Sequence, residues 1–87
     1  MNKIQCKLPG VYLLELDCFR DQRGGFARTF CQKQFAEMGL HTHFPQNNIS
    51  LNSKKGTLRG MHFQTVPYQE IKLVSCVSGR AFDVLVD

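Results

Sequence analysis

Short segments of alternating or β-branched apolar residues, separated by Gly and Pro, constrain this chain more than any other feature. Alternation with a period of two places apolar side chains on one face of an extended strand. Such segments occur at 11–16, 26–30, 48–52, 57–63, 71–77 and 80–86. Residues 32–38, followed by Gly39, instead have the spacing of a short helix with a glycine stop. The sequence therefore predicts an all-β sandwich or barrel with one short helix.

The segments between these elements carry turn and loop signals. Gly and Pro favour turns in these segments, because Gly allows backbone angles that other residues avoid and Pro fixes its own φ angle. The predicted turns and loops are Pro9-Gly10, the charged loop 17–25, the loop 41–46, the polar turn 53–56, and a hairpin turn at Ser78-Gly79. No internal repeat or linker divides the chain, so one domain is expected.

The length of 87 residues is near the lower limit for a self-sufficient core. Hydrophobic residues make up 43% of the chain and charged residues 21%, which is typical of a folded domain rather than a disordered one. The apolar strand predicted at 80–86 ends beside Asp87, and such a strand needs a partner on its open edge. We therefore expect a truncated domain whose edges are covered by a second copy, as a homodimer.

Composition excludes several classes of protein. No apolar run approaches the roughly 18 residues that span a bilayer, and the N-terminal lysines are not followed by an apolar stretch, so we expect a cytoplasmic protein without a membrane partner. The net charge of +4 suits an anionic ligand or solubility alone, and no basic run indicates nucleic-acid binding. Free thiols are expected at the four widely spaced cysteines, Cys6, Cys18, Cys31 and Cys76.

Three residues with complementary chemistry lie close together between residues 56 and 75. Arg59, His62 and Lys72 fall within fourteen residues, on two predicted strands joined by a Pro-containing turn. An imidazole can remove a proton beside a carbonyl, and two cations can hold the charge that develops on oxygen. Strict alternation puts Arg59 and His62 on opposite faces, although an irregular backbone at Gly60 would allow them to meet. On spacing alone, a lone histidine on a strand is more often a packed or solvated residue than a base.

These residues also carry a resemblance to a known family. The motifs resemble the core of the dTDP-4-dehydrorhamnose 3,5-epimerases, which are metal-independent sugar-nucleotide enzymes with a jelly-roll, cupin-like fold. The matching residues are Asp21-Gln22-Arg23-Gly24, Phe26, Phe30, Gln46-Asn47-Asn48-Ile49-Ser50, Gly56, Leu58-Arg59-Gly60, His62-Phe63-Gln64, Gln69, Lys72-Leu73-Val74, Gly79 and 83–87. The resemblance implies that residues 1–87 are the N-terminal part of a single jelly-roll domain. It also implies that no cofactor is needed. The chain is about half as long as the members of the family.

The resemblance implies a reaction and three roles. The reaction is 3,5-epimerisation of dTDP-4-dehydro-6-deoxyglucose to dTDP-4-dehydrorhamnose, within dTDP-rhamnose biosynthesis. His62 matches the base that abstracts the proton beside the C4 ketone, and Lys72 matches the lysine that stabilises the enolate oxygen. Arg59 matches an arginine that binds the substrate's diphosphate, a role that suits the guanidinium fork.

Five further residues match substrate-binding positions of the family. Arg23 matches an arginine that reaches the nucleotide from the neighbouring subunit, and Phe19 and Phe26 match aromatic residues of the nucleotide pocket. Gln46 and Asn48 match a polar pair beside the active site. A structural interpretation stays open for the phenylalanines as core residues, and for Asp21 and Arg23 as a salt-bridged loop.

Two departures from the family pattern bear on function. Arg28 stands where the family has a glutamate, and a guanidinium cannot accept the hydrogen bonds that a carboxylate accepts, so the nucleotide stays undetermined. The family's catalytic tyrosine and orienting aspartate match positions beyond residue 87, and neither Tyr12 nor Tyr68 corresponds to that tyrosine. We therefore expect this chain to be inactive alone as an epimerase.

Two alternative functions remain at this point. The first is a non-catalytic module that binds a nucleotide sugar or mediates dimerisation. The second is a metal-dependent cupin enzyme, because His41-Thr42-His43 has the spacing that places two imidazoles on one strand face. Pro45 and the polar surroundings instead favour a loop with exposed histidines, and no metal site is expected.

Overall fold

A computed structural model describes residues 1–87, which divide into two compact units. One unit comprises residues 1–43 with 85–87, and the other comprises residues 44–84. All regular secondary structure lies in the first unit. It consists of β1 (Asn2–Gln5), β2 (Tyr12–Glu15), β3 (Cys18–Asp21), β4 (Gly24–Ala27) and α1 (Gln32–Glu37). Small antiparallel sheets with one short helix agree with the predicted all-β class, whereas the jelly roll stays a prediction.

Strands β1 and β2 form an antiparallel hairpin with Lys3 opposite Leu14. The ammonium of Lys3 lies 4.8 Å from the ring centre of Tyr12, its diagonal neighbour on the same face. The prediction of a strand within 11–16 after a turn at Pro9-Gly10 is confirmed. Strand β1 is missed by the sequence pattern because Ile4 is the only apolar side chain in it.

The second hairpin, β3–β4, corrects the prediction of a charged loop over 17–25. Residues 18–21 and 24–27 pair as strands, and the turn itself contains only Gln22 and Arg23. Gly24 has φ +133°, a conformation that favours glycine at the end of so tight a turn. The predicted strand 26–30 extends only to Ala27.

Helix α1 agrees with the predicted helix at 32–38 and its glycine stop. The backbone N–H of Gly39, at φ +70°, donates to the carbonyl of Ala36, and that of Leu40 donates to the carbonyl of Phe35. This pattern is a Schellman C-cap, which satisfies carbonyls at the helix end. Phe35 is the one buried side chain of the chain, at 2% exposure, and the ring of Phe30 packs edge-on against it at 4.7 Å.

Residues 44–84 form turns but no strand or helix. Two predicted turns are confirmed, because the N–H of Thr57 donates to the carbonyl of Lys54 and the N–H of Tyr68 donates to that of Thr65. The strands predicted at 48–52, 57–63, 71–77 and 80–86, and the hairpin at Ser78-Gly79, are absent. Alternation specifies which face of a strand is apolar, but a strand forms only where a partner supplies ladder hydrogen bonds.

The apolar side chains of these unpaired segments are accordingly exposed, as at Leu58 (92%), Phe63 (84%) and Phe82 (93%). The four cysteines are free thiols. No helix in the structure combines the length and apolar character needed to cross a membrane.

Candidate functional site

The β3–β4 hairpin presents two aromatic rings and a cation around one surface depression. Phe19 and Phe26 pair directly across the strands, and their side chains are 72% and 71% exposed. The depression is lined by Phe19, Asp21, Arg23, Gly24, Gly25 and Phe26. The structural interpretation of Phe19 and Phe26 as core residues is therefore wrong for this structure. Exposed rings beside a guanidinium offer contacts for a ligand with an apolar ring and an anionic group.

Asp21 fixes the position of Arg23 in the hairpin turn. The guanidinium Nη2 and Nε of Arg23 lie 2.6 Å and 3.0 Å from Oδ2 of Asp21, and the Arg23 backbone N–H donates to Oδ1 at 2.8 Å. The Arg23 side chain still has 90% of its surface exposed. The side-chain bonds first, and then the backbone bond, hold the pKa of the Asp21 carboxyl below its ordinary value, against a weaker opposing effect of desolvation. The ion pair of the structural interpretation is present, but it lies at a tight hairpin turn rather than in a loop.

In the second unit, Arg59 is anchored to the segment that precedes the 53–56 turn. Its Nε donates to Oδ1 of Asn52 at 2.7 Å, and its Nη2 donates to the carbonyl of Leu51 at 3.3 Å. Nearby in sequence, Nδ2 of Asn48 donates to Oε1 of Gln46 at 3.1 Å. The two polar residues singled out by the sequence thus contact each other, while Arg59 contacts a residue that the sequence does not single out.

The backbone at Gly60 is irregular, which is the condition under which Arg59 and His62 could lie on one face. Its φ of +104° is unfavourable for any residue with a side chain, and a Cβ placed there would lie 3.5 Å from Nδ1 of His62. Lys72 forms an ion pair with Glu70, with Nζ 3.5 Å from Oε1. No hydrogen bond or ion pair joins Arg59, His62 and Lys72 to one another. Arg59 and Lys72 therefore have separate partners, and the structure does not join the three residues through direct polar contacts.

Comparison with known sequences assigns the chain to a family. Residues 5–87 match the sequence profile of the dTDP-4-dehydrorhamnose 3,5-epimerases. The chain belongs to this family. The resemblance carried by the Arg23, Arg59, His62 and Lys72 motifs is thereby confirmed.

Individual relatives carry the same family name. Over its full length the chain is 48% identical to the dTDP-4-dehydrorhamnose 3,5-epimerase of Shigella flexneri and 43% identical to that of Escherichia coli K12. Over 97% of its length it is 43% identical to the protein of that name from Methanothermobacter thermautotrophicus. It covers 48%, 47% and 44% of these proteins, so the chain spans about half the length of the curated relatives it matches. No solved structure matches the chain significantly.

The histidines outside the epimerase motifs lie in a loop, as predicted from Pro45. Nε2 of His41 lies 2.5 Å from the carbonyl oxygen of His43, and both side chains are exposed. No group of three or more His, Cys, Asp or Glu side chains has the arrangement of a metal site. The His41-Thr42-His43 spacing therefore corresponds here to a local backbone contact.

Sequence reasoning missed two contacts of the residues that it singled out, that of Asn52 with Arg59 and that of Glu70 with Lys72. If the 53–56 turn closed a hairpin, Asn52 would lie opposite Thr57, and Arg59 would be the diagonal neighbour of Asn52. Glu70 and Lys72 are two residues apart and share a face of an extended chain. Both signals are readable in the sequence once Arg59 and Lys72 are chosen as starting points.

Proposed function

We propose that this chain carries the proton-abstracting and nucleotide-binding residues of an epimerase that converts dTDP-4-dehydro-6-deoxyglucose to dTDP-4-dehydrorhamnose in dTDP-rhamnose biosynthesis. The observation that carries the proposal is the family match over residues 5–87, with a basic or imidazole side chain at each motif position that needs one. The net charge of +4 favours a dianionic substrate of this kind.

His62 is proposed as the base. In its neutral form the imidazole takes the proton from C3 or C5 of the sugar, and the electron pair of the broken C–H bond moves into the C4 ketone to form an enolate. Lys72 stabilises the charge on the enolate oxygen, because a fixed ammonium lowers the cost of that charge more than water does. Inversion of the carbon then needs a proton delivered to the opposite face by a donor that neither Tyr12 nor Tyr68 matches.

The remaining residues are proposed to bind the nucleotide. Arg59 contacts the diphosphate, since a guanidinium offers parallel N–H groups to two phosphate oxygens. Arg23 of the neighbouring subunit adds a second guanidinium, and its 90% exposure leaves it accessible to a ligand. Phe19 and Phe26 hold the base, since aromatic rings stack on nucleobases. The last two proposed residues, Gln46 and Asn48, bind polar groups of the substrate.

The assembly proposed for this chain is a homodimer of jelly-roll domains in the cytoplasm. Large exposed apolar side chains such as Leu58 and Phe82 support it, because burying apolar surface against a second copy removes it from water. Sedimentation of the purified chain tests this part. A dimer or higher oligomer is expected, and a folded monomer at micromolar concentration would contradict it.

A second candidate function is nucleotide-sugar binding without catalysis. It is favoured by the surroundings of His62, because none of the ion pairs in the structure joins its ring to a carboxylate, and such a partner fixes the tautomer of a catalytic histidine. Calorimetric titration with dTDP, combined with incubation of the chain with the sugar nucleotide, separates the two. Binding with no proton exchange would favour the binding module, and proton exchange would dismiss it.

A further inference from the structure

We propose that Asn52 is a positioning residue that selects which edge of the Arg59 guanidinium meets the diphosphate. The inference rests on the proposed function, since it concerns how Arg59 recognises that group. It starts from the two hydrogen bonds that anchor Arg59, one to the side chain of Asn52 and one to the backbone of Leu51.

The guanidinium presents its N–H groups in a rigid planar fork, so occupying one edge determines which edge is left. Nε and Nη2 lie along the side edge, and both are engaged, at 2.7 Å by Oδ1 of Asn52 and at 3.3 Å by the Leu51 carbonyl. The end edge, made of Nη1 and the second N–H of Nη2, carries the donors that remain. Two parallel donors on that edge match two oxygens of one phosphate group.

The anchor is local and does not depend on a strand. A turn separates Asn52 from Arg59, and it is closed by Thr57, whose Oγ1 and backbone N–H both donate to the Lys54 carbonyl, at 2.7 Å and 3.4 Å. This turn brings the two side chains together across seven residues of sequence. The arginine is therefore ordered before the ligand arrives, which reduces the entropy lost when the side chain is immobilised on binding.

The chemical type of residue 52 matters as much as its position. A carboxamide oxygen accepts a hydrogen bond without adding charge, so Arg59 keeps its full attraction for an anion. A carboxylate at the same place would hold the guanidinium more strongly, but would also neutralise its charge and repel the diphosphate. Asn52 thus orients the guanidinium of Arg59 without neutralising its positive charge.

The test is a double-mutant cycle on dTDP affinity, measured by isothermal titration calorimetry on the full chain. Asn52→Ala is expected to weaken binding by about threefold to tenfold, the loss typical of leaving one long side chain unordered. In an Arg59→Ala background the same substitution is expected to have no further effect, because Asn52 acts only through Arg59. Asn47→Ala removes another exposed asparagine without touching the anchor, and should stay within twofold of the unsubstituted chain.

Asn52→Asp serves as the second variant, since it keeps an acceptor oxygen and the local shape. Its loss of affinity should shrink relative to the unsubstituted chain as salt is raised, because added salt screens repulsion between exposed charges. Unchanged affinity in Asn52→Ala, or equal losses with and without Arg59, would overturn the positioning role alone. Failure of the unsubstituted chain to bind dTDP, or full affinity in Arg59→Ala, would instead contradict the proposed function and the inference with it.

Discussion

Phe19 and Phe26 face each other directly across the β3–β4 hairpin, and both rings remain exposed, at 72% and 71%. Cross-strand aromatic pairs usually gain stability by packing under other side chains, but this pair has nothing over it. The guanidinium of Arg23 stands in the turn of the same hairpin, held by Asp21. A nucleoside diphosphate combines a flat ring with an anionic group, and the hairpin offers a partner to each.

Removing one ring of this pair should weaken nucleotide binding. Phe19→Ala is expected to lower dTDP affinity by roughly 1–3 kcal/mol, the usual contribution of one base–aromatic stack, while affinity for inorganic pyrophosphate stays unchanged. Calorimetric titration with both ligands measures the difference. Phe82→Ala is the control, because it removes a phenylalanine outside the hairpin that is even more exposed, at 93%. Wild-type dTDP affinity in Phe19→Ala would exclude the stacking role.

The hairpin turn should respond to acid through Asp21. Its pKa is lowered chiefly by hydrogen bonds from Arg23, so the stabilisation is fully present above the unfolded-state pKa of about 3.9 and is lost as the pH falls through the lower folded-state value. An NMR titration of the Asp21 carboxyl should give a pKa below the ordinary aspartate range. In Arg23→Ala that pKa should rise towards the ordinary value. The same pKa in both proteins would refute the pairing.

The helix stop at Gly39 should be sensitive to a single methyl group. Gly39→Ala places a Cβ on a residue at φ +70°, and although the space around it is open, the backbone conformation disfavours it. The expected loss is about 1–2 kcal/mol in the free energy of unfolding, measured by urea denaturation. Lys33→Ala, on an exposed position of the same helix, should change stability by less than about 0.5 kcal/mol. Equal stability of the two variants would argue against the Schellman cap.

Local signals in the sequence predict local structure well in this chain. Gly39 indicates the end of α1, Pro9-Gly10 indicates the β1–β2 turn, and the polar run 53–56 indicates the turn closed by Thr57. Each of these depends on backbone angles or on hydrogen bonds within a few residues. A sequence window of that size contains all the information they need.

Strand pairing is where sequence reasoning fails, in both directions. Residues 57–63 and 71–77 alternate as strands do, yet they lack a partner that would complete their hydrogen bonds. Residues 18–21 read as a charged loop, yet they pair with 24–27, because the turn at Gln22 and Arg23 brings the two segments into register. Pairing depends on two segments at once, and a pattern within one of them cannot specify it.

The candidate site could also be predicted from the sequence only in part. The motifs predict which residue types carry the chemistry, including His62, Lys72 and Arg59, and their roles stay proposals. The contacts of Asn52 with Arg59 and of Glu70 with Lys72 are found in the three-dimensional structure and were not predicted, although their sequence spacing is compatible with contact. These contacts fix the positions of the Arg59 and Lys72 side chains, and residue type alone does not determine those positions.

The most direct test of the account is isotope exchange at the sugar carbons. The chain is incubated with dTDP-4-dehydro-6-deoxyglucose in heavy water, and deuterium at C3 and C5 is followed by mass spectrometry and NMR. Exchange requires only the base, so it is expected even though neither Tyr12 nor Tyr68 matches the family's proton donor and net epimerisation is not expected. Deuterium should enter with the unsubstituted chain and with His41→Ala, and should be absent with His62→Ala. Absence of deuterium while the substrate is bound, or undiminished exchange in His62→Ala, would contradict the assignment of His62 as the base.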